Sequence, residues 1–334
     1  MELNVGVIGT GFIARMHLPA FLKHDSARVK AIADSNAGTR DSFRNEFSVP
    51  LAFSNYEEIL EDKSIDVVDI CLPPDLHYEA TMKSFSAGKD VILEKPIAMT
   101  VEEADEMIDT AKKSGRRFFV SLNQRFLPCH QKMKQLLEEG RIGRPFLAVG
   151  TMIGNEFFRM NDPSHWKGTW ERAGGGVLAD TGTHLVDIMQ YLFGMPSSIE
   201  GAICERLVVE PENKGDDNAL ALLKFPTGIL CSLVLTYSAT GDKWMERKEI
   251  FGTKGSIREI NEDEKPLWIT STKGNLEYIE IEHSKEWQPY SVERAVGHFI
   301  HCIVEEKEPF VTPDDARNTL KTILSIYEVA KSST

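Results

Sequence analysis

Asp180 and His184 stand four residues apart in the run Gly174-Gly175-Gly176-Val177-Leu178-Ala179-Asp180-Thr181-Gly182-Thr183-His184. That spacing puts a carboxylate and an imidazole on one face of a helix. Asp187 follows about one turn later. Far upstream, Glu94-Lys95-Pro96 closes the apolar run Val91–Leu93, and a lysine at a strand end can meet such a pair if the strand also carries a cofactor. Together a lysine, a carboxylate and an imidazole can bind a hydroxyl, take its proton and organise the oxygen beside a hydride acceptor. Imidazole suits proton transfer near neutral pH, and a charged lysine lowers the cost of deprotonating a hydroxyl bound to it. Each residue has a plainer reading. Lys95 would equally be a solvated surface lysine, and Asp180 a helix cap beside a packed histidine. The pair also has metal-ligand spacing, but no third ligand stands in a motif context, so no metal is expected.

A dinucleotide would join these parts. Gly9-Thr10-Gly11-Phe12-Ile13-Ala14 follows the β-branched run Asn4–Ile8 and opens a helical pattern over Phe12–Lys23, where Pro19 predicts a kink or an early end. Gly9 permits the tight turn, Gly11 lets backbone approach a pyrophosphate, and Ala14 allows close helix–strand packing. The helix N-terminus adds amides and dipole for the anion. Asp34 closes a second run, Val29–Ala33, at the distance where an acid binds the adenosine ribose hydroxyls. A helix cap would use the same residue type. A carboxylate there repels a 2′-phosphate, so NAD is expected; Arg40, the nearest arginine, keeps NADP possible.

These residues need elements to hold them. Asp66–Leu72, ended by Pro73-Pro74, then Val91–Leu93 and Arg117–Leu122, continue the strand series. Between the last two, Thr100 with Glu103 makes a capping box and Gly115 a stop. Strand–helix alternation implies a parallel sheet covered on both faces. Beyond Asn123 the texture changes. A helical pattern over Pro128–Glu139 precedes strand-like runs at Phe146–Met152, Ser198–Val209, Ala219–Phe225, Ile229–Ser238 and Arg247–Phe251. Turn signals at Pro226-Thr227-Gly228 and Thr253-Lys254-Gly255 suggest a large, mainly antiparallel sheet. Helical patterns return at Val292–Val304 and from Thr312, with Pro313 at N1. The expected class is α/β: a dinucleotide-binding domain over residues 1–123, then an α+β domain over residues 124–334.

At 334 residues the chain is long enough for two domains. Its 51 acidic against 38 basic residues, formal charge −13, speak against a sequence-blind nucleic-acid binder and against anionic membrane surfaces. No run has the apolar length of a membrane span, and no tripartite signal precedes the first strand, so a cytoplasmic protein is expected. Cys71, Cys129, Cys204, Cys231 and Cys302 are odd in number and form no Cys-x-x-Cys pair, which suits reduced, buried thiols.

In order and spacing these elements resemble the glucose–fructose oxidoreductase, inositol dehydrogenase and rhizopine-catabolism (Gfo/Idh/MocA) family over nearly the whole length. The matches are Gly9–Ala14 with His17, Pro73–His77, Glu94–Pro96 and Gly174–His184; Asn123–Phe126, Gly140–Pro145 and Phe251–Gly255 match more loosely. The resemblance implies a Rossmann domain followed by an α+β domain whose open sheet often forms the oligomer interface, hence a homodimer or homotetramer. It places the family's catalytic lysine on Lys95, its motif aspartate on Asp180 and its catalytic histidine on His184. Typical members oxidise a secondary alcohol of a sugar, inositol or related polyol, or run the reverse reduction. In that reading Gly9, Gly11, Phe12, Ile13, Asp34, Leu72, Pro73, His77, Glu94, Lys95, Pro96 and Arg125 hold NAD. Lys95, Arg125, Trp166, Asp180 and His184 face the substrate. Asn155, Asp162, His165, Lys167 and Trp170 lie in segments that could line the same pocket or equally be loop and core structure. The resemblance also takes in NAD-dependent redox-neutral glycosidases, non-catalytic sugar-sensing regulators and biliverdin-reductase-like reducers; intact Lys95, Asp180 and His184 count against the sensor.

Overall fold

The computed structural model describes residues 2–210, 215–241 and 244–332. The chain divides into two compact units, Met1–Asn123 with Gln288–Arg317, and Gln124–Trp287 with Asn318–Thr334.

The first unit is built on six strands, β1 (Leu3–Ile8), β2 (Ala27–Ala33), β3 (Leu51–Phe53), β4 (Val67–Ile70), β5 (Asp90–Leu93) and β6 (Phe118–Val120), in the order β3-β2-β1-β4-β5-β6. Every pairing is parallel. This is the doubly wound order, in which the strand ends flanking the β1/β4 reversal form a ligand crevice. β4 is buried along its whole length, as covering on both faces demands. β3 is three residues long, all apolar but none buried, and so short a run does not mark a strand in the sequence. The helix after β1, Ala14–Leu22, runs through Pro19 rather than ending there; a proline in a short helix costs one intrahelical bond, and five buried side chains hold the rest. The capping box at Thr100 and Glu103 forms, and Gly115 closes that helix at φ 64°. The helix Trp287–Val304 belongs mostly to this unit. Phe299 packs on Phe119 with ring centroids 5.1 Å apart, and Asn123 donates to Ser291 Oγ at 2.8 Å.

The second unit holds β7 (Pro145–Ile153), β8 (Ser198–Glu205), β9 (Asn218–Lys224), β10 (Leu230–Thr236), β11 (Met245–Gly252), β12 (Gly255–Ile260), β13 (Leu267–Ser271) and β14 (Leu276–Tyr278) in one sheet, ordered β14-β13-β12-β11-β7-β10-β9-β8. The β7–β10 pairing is parallel and the others antiparallel. Strict alternation of buried side chains along β9 and β10 marks one covered face. The helix Val177–Phe193 lies on it, so close that a Cβ at Gly150 would fall 2.7 Å from Leu185. The other face exposes Ile203, Leu220, Leu222 and Leu230. β8 stops at Glu205, short of the run that ends at Val209, because the Asp217 carboxylate takes the amides of Leu207, Val208 and Val209 and turns the chain. Under the sheet Lys248 Nζ lies 3.1 Å from Glu246 and 3.3 Å from Glu259, all three buried. Burial opposes its charge, yet Glu259 and Glu246 hold the ammonium above the usual lysine range. Among the described residues no helix is long and apolar enough to cross a membrane.

Candidate active site

In the first unit the residues expected to hold the cofactor lie at the ends of β1, β2, β4 and β5. Gly9 has φ 92°, and a Cβ there would sit 2.5 Å from the Cys71 carbonyl oxygen, so the turn itself requires glycine. A Cβ at Gly11 would meet nothing within 4 Å. Protein packing does not require that glycine, which fits a backbone kept bare for a phosphate ahead of the helix Ala14–Leu22. Gly11 and Phe12 are exposed and Ile13 half-buried beside this opening.

Asp34 follows β2. Its Oδ2 accepts the Thr10 amide and hydroxyl, both at 2.8 Å, and its Oδ1 accepts the Asn36 amide at 2.8 Å. The next helix is capped by Asn36, whose side chain accepts from the Thr39 amide, so Asp34 is not that helix's cap. Thr10 thereby ties the glycine turn to Asp34. Arg40 folds back, donating to the Asp34 carbonyl at 3.2 Å. Asp34→Ala is expected to weaken NAD binding at least tenfold, the scale of one hydrogen bond to a charged group, and to bring NADP closer to NAD in parallel fluorescence titrations. An unchanged preference would show that Asp34 reads neither hydroxyl.

Glu94 and Lys95 close β5, and the Lys95–Pro96 peptide is cis. Glu94 Oε2 accepts the Lys95 amide at 3.1 Å. Behind it His17 is buried with Nε2 2.9 Å from Glu94 Oε1 and Nδ1 3.0 Å from Asp69 Oδ1. Burial alone would strip the imidazole of its charge; Asp69 chiefly outweighs it and raises His17 well above the usual histidine value. Glu94 is lowered against its own burial by the His17 hydrogen bond. His77, also buried, places Nε2 2.8 Å from the Leu72 carbonyl and Nδ1 2.7 Å from the Pro96 carbonyl, fastening the end of β4 to the turn that presents Lys95. Leu72, Pro73, Lys95 and Pro96 are half-buried around these anchors.

In the second unit the helix Val177–Phe193 is almost entirely interior. From Val177 to Gln190 every side chain is buried except Asp180 and His184. Asp180 Oδ2 accepts the Tyr237 hydroxyl at 2.6 Å and lies 2.7 Å from Lys167 Nζ. Asp187 is bound in both oxygens by the Arg125 guanidinium at 2.7 to 3.0 Å, and both are buried. Arg125 therefore braces this helix from within its own unit. Trp166 is half-buried, stacked with His165 at 5.7 Å and covered by Lys167 Nζ at 5.4 Å. Asn155, Asp162 and His165 accept backbone amides of Phe157, Ser164 and Lys167, organising the loop. Trp170 meets Tyr327 edge-on at 5.2 Å against the core.

The glycine run before this helix meets protein rather than leaving room for a ligand. A Cβ at Gly176 would fall 1.9 Å from the Asp216 carbonyl oxygen, and one at Gly175 would fall 2.3 Å from Tyr327 Oη. Asp216 and Tyr327 cap the helix instead, accepting the amides of Gly176, Leu178 and Ala179. Sequence reading does not find Asp216, Tyr237 or Tyr327 in these roles. A buried acid forty residues from the helix it caps leaves no local signal.

A parallel sheet with a dinucleotide turn, an acid after β2 and a buried-anchored lysine after β5, followed by an open-sheet unit whose helix shows an aspartate and a histidine, defines a nicotinamide-dependent dehydrogenase class. Residues 3–122 match the model of the oxidoreductase family with NAD-binding Rossmann fold, and residues 130–258 match the GFO/IDH/MocA C-terminal domain. The chain is 31% identical over 284 residues to the levoglucosan dehydrogenase of Pseudarthrobacter phenanthrenivorans, covering 77% of this chain and 73% of that one. It is 26% identical to the myo-inositol 2-dehydrogenase of Thermotoga maritima over 95% of this chain and 93% of that one. A solved levoglucosan dehydrogenase in complex with NADH and levoglucosan superposes with a TM-score of 0.89 at 26% identity, covering 100% and 98% of the two chains. The chain belongs to the Gfo/Idh/MocA oxidoreductase family. It is an NAD-binding dehydrogenase of the sugar and inositol type.

Proposed function

We propose that this enzyme oxidises a secondary alcohol of a cyclic sugar, inositol or related polyol, or reduces the matching ketone, with His184 as general base. The observation that carries the assignment is that Asp180 and His184 alone are not fully buried on the otherwise interior stretch of helix from Val177 to Gln190. A buried helix that spends its two incompletely buried positions on a carboxylate and an imidazole at i, i+4 is poised for proton transfer. Bound NAD supplies the hydride acceptor. His184 takes the proton of the substrate hydroxyl, and Lys95, presented by the His17–Glu94 and His77 anchors, stabilises the oxygen as it becomes anionic. Asp180 orients the hydroxyl and the base. Trp166 offers an apolar ring to the substrate's C–H face. Lys95→Ala is expected to lower turnover about a hundredfold or more while NADH affinity stays within a few fold. Equal losses in both would make Lys95 a cofactor anchor only.

The exposed sheet face supports a homodimer or homotetramer. Leu220, Leu222 and Leu230 are about half exposed, at 48%, 54% and 51%, and clustered apolar side chains on an open sheet favour burial against a second copy. Leu222→Lys is expected to shift the mass seen by analytical ultracentrifugation toward the monomer; an unchanged mass would place the interface elsewhere. The five cysteines carry no disulfide, in keeping with a cytoplasmic enzyme.

A further inference from the structure

Asp180 does not stand alone on its helix face. Two donors converge on the same oxygen, Oδ2: Lys167 Nζ at 2.7 Å and Tyr237 Oη at 2.6 Å. Lys167 comes from the short turn Trp166–Gly168, and Tyr237 directly follows β10. Lys167 and Asp180 have only 14% and 11% of their side chains accessible, so the pair is poorly screened and its geometry is strongly favoured. The ammonium has further constraints. It lies 3.4 Å from Glu156 Oε2 and sits over the Tyr237 ring at 5.1 Å and the Trp166 ring at 5.4 Å. Tyr237 is buried and hydrogen-bonded to the Thr181 hydroxyl as well. Burial and the Asp180 charge both push its phenol well above the usual tyrosine value, so it remains a donor.

We propose that Lys167, together with Tyr237, is a positioning residue for the reaction: it fixes the Asp180 carboxylate in one orientation and in its ionised form. This rests on the reading of Asp180 and His184 as the proton-transfer pair. With two donors on Oδ2, the plane of the carboxylate is set by the clamp. A carboxylate so held is an acceptor that aims a hydroxyl rather than a shuttle that gains and loses protons. The link through Glu156, which is 3.1 Å from Arg159 Nη1, extends the clamp to the turn Phe157–Met160.

Lys167→Gln removes the charge and shortens the side chain by one bond. Its kcat is expected to fall about ten- to hundredfold, the cost of misplacing a reacting group by about an ångström. KM, NADH affinity and melting temperature should move little. Lys167→Arg, which can bridge both Asp180 and Glu156, should restore most of the rate. A crystal structure of Lys167→Gln should show the Asp180 carboxylate turned from the Tyr237 hydroxyl. The proposal is overturned by a Lys167→Gln kcat within twofold of wild type, by an unmoved Asp180 in that crystal structure, or by a rate loss that arginine does not recover and that tracks a lowered melting temperature. If Lys167→Gln does not fold, Tyr237→Phe, which removes the other donor to Oδ2, should lower kcat likewise and show the Asp180 carboxylate reoriented in its crystal structure; an unchanged kcat or an unmoved carboxylate overturns the proposal. Full turnover in His184→Ala would instead sink the proton-transfer reading, while the orientation of Asp180 in the Lys167→Gln crystal would still decide the clamp.

Discussion

His184→Ala is expected to lower kcat by about 10²–10⁴-fold, the contribution of a well-placed general base, with NADH affinity within a few fold of wild type. The cofactor turn, Asp34 and the anchors of Lys95 all belong to the first unit, so removing an imidazole from the second unit leaves them intact. The side chain is half-buried on a helix whose packing comes from its other positions, so truncation should leave the melting temperature nearly unchanged. Lys95→Ala combined with His184→Ala should be little worse than the more damaging single variant, because groups that act on one transition state are not additive. Steady-state kinetics beside fluorescence titration with NADH separate the two quantities. Multiplicative losses would mean that the two residues act in different steps.

His17→Ala should produce the largest loss of stability, about 3–5 kcal/mol, as expected when one partner of a buried ion pair is removed. Two carboxylates, Asp69 and Glu94, would remain buried without the cation that lies 3.0 and 2.9 Å from them. The pH dependence has a definite sign. The folded value of His17 is raised, so its contribution is fully present below the unfolded histidine value of about 6.5. It declines as pH rises from there through the folded value, by up to about 1.4 kcal/mol per pH unit. Glu94 is lowered, so its contribution is present above the unfolded glutamate value and is lost as pH falls through the folded one. Urea denaturation of wild type and His17→Ala at several pH values reads both limbs. Because Glu94 also accepts the Lys95 amide, turnover should fall as well; a variant as stable as wild type would show that water replaces the imidazole.

Much of the first unit is legible in the sequence because short-range physics dictates it. The apolar runs of β1, β2, β4 and β5, the Gly9–Ala14 turn and the Thr100–Glu103 box each act through neighbours a few residues away. β3 is invisible because three apolar residues are too short a run to mark a strand. In the second unit the alternating strands β7 to β11 are readable, whereas β12 to β14 are short strands held in place by successive antiparallel pairing. The return of the helix Trp287–Val304 to the first unit leaves no local trace either, since its apolar stripe would suit any sheet. At the candidate site the residues proposed to do chemistry are readable and their supports are not. Asp180 and His184 stand out by spacing, and Lys95 by its place after a strand. Lys167 is recognisable as a pocket candidate, but its pairing with Asp180 is not. Tyr237 and Asp216 act from 57 and 40 residues away, and the close approach of Tyr327 and Asp216 leaves no room for a side chain at Gly175 and Gly176.

The most direct measurement is NADH formation by the purified enzyme with NAD across inositols, aldoses, anhydrosugars and sugar acids, run beside His184→Ala, with the matching ketones and NADH for the reverse direction. The predicted result is turnover with one class of cyclic polyol that disappears in His184→Ala. Firm NADH binding with no net redox change for any polyol or ketone, or equal turnover by the variant, would contradict a dehydrogenase that uses His184 as its base.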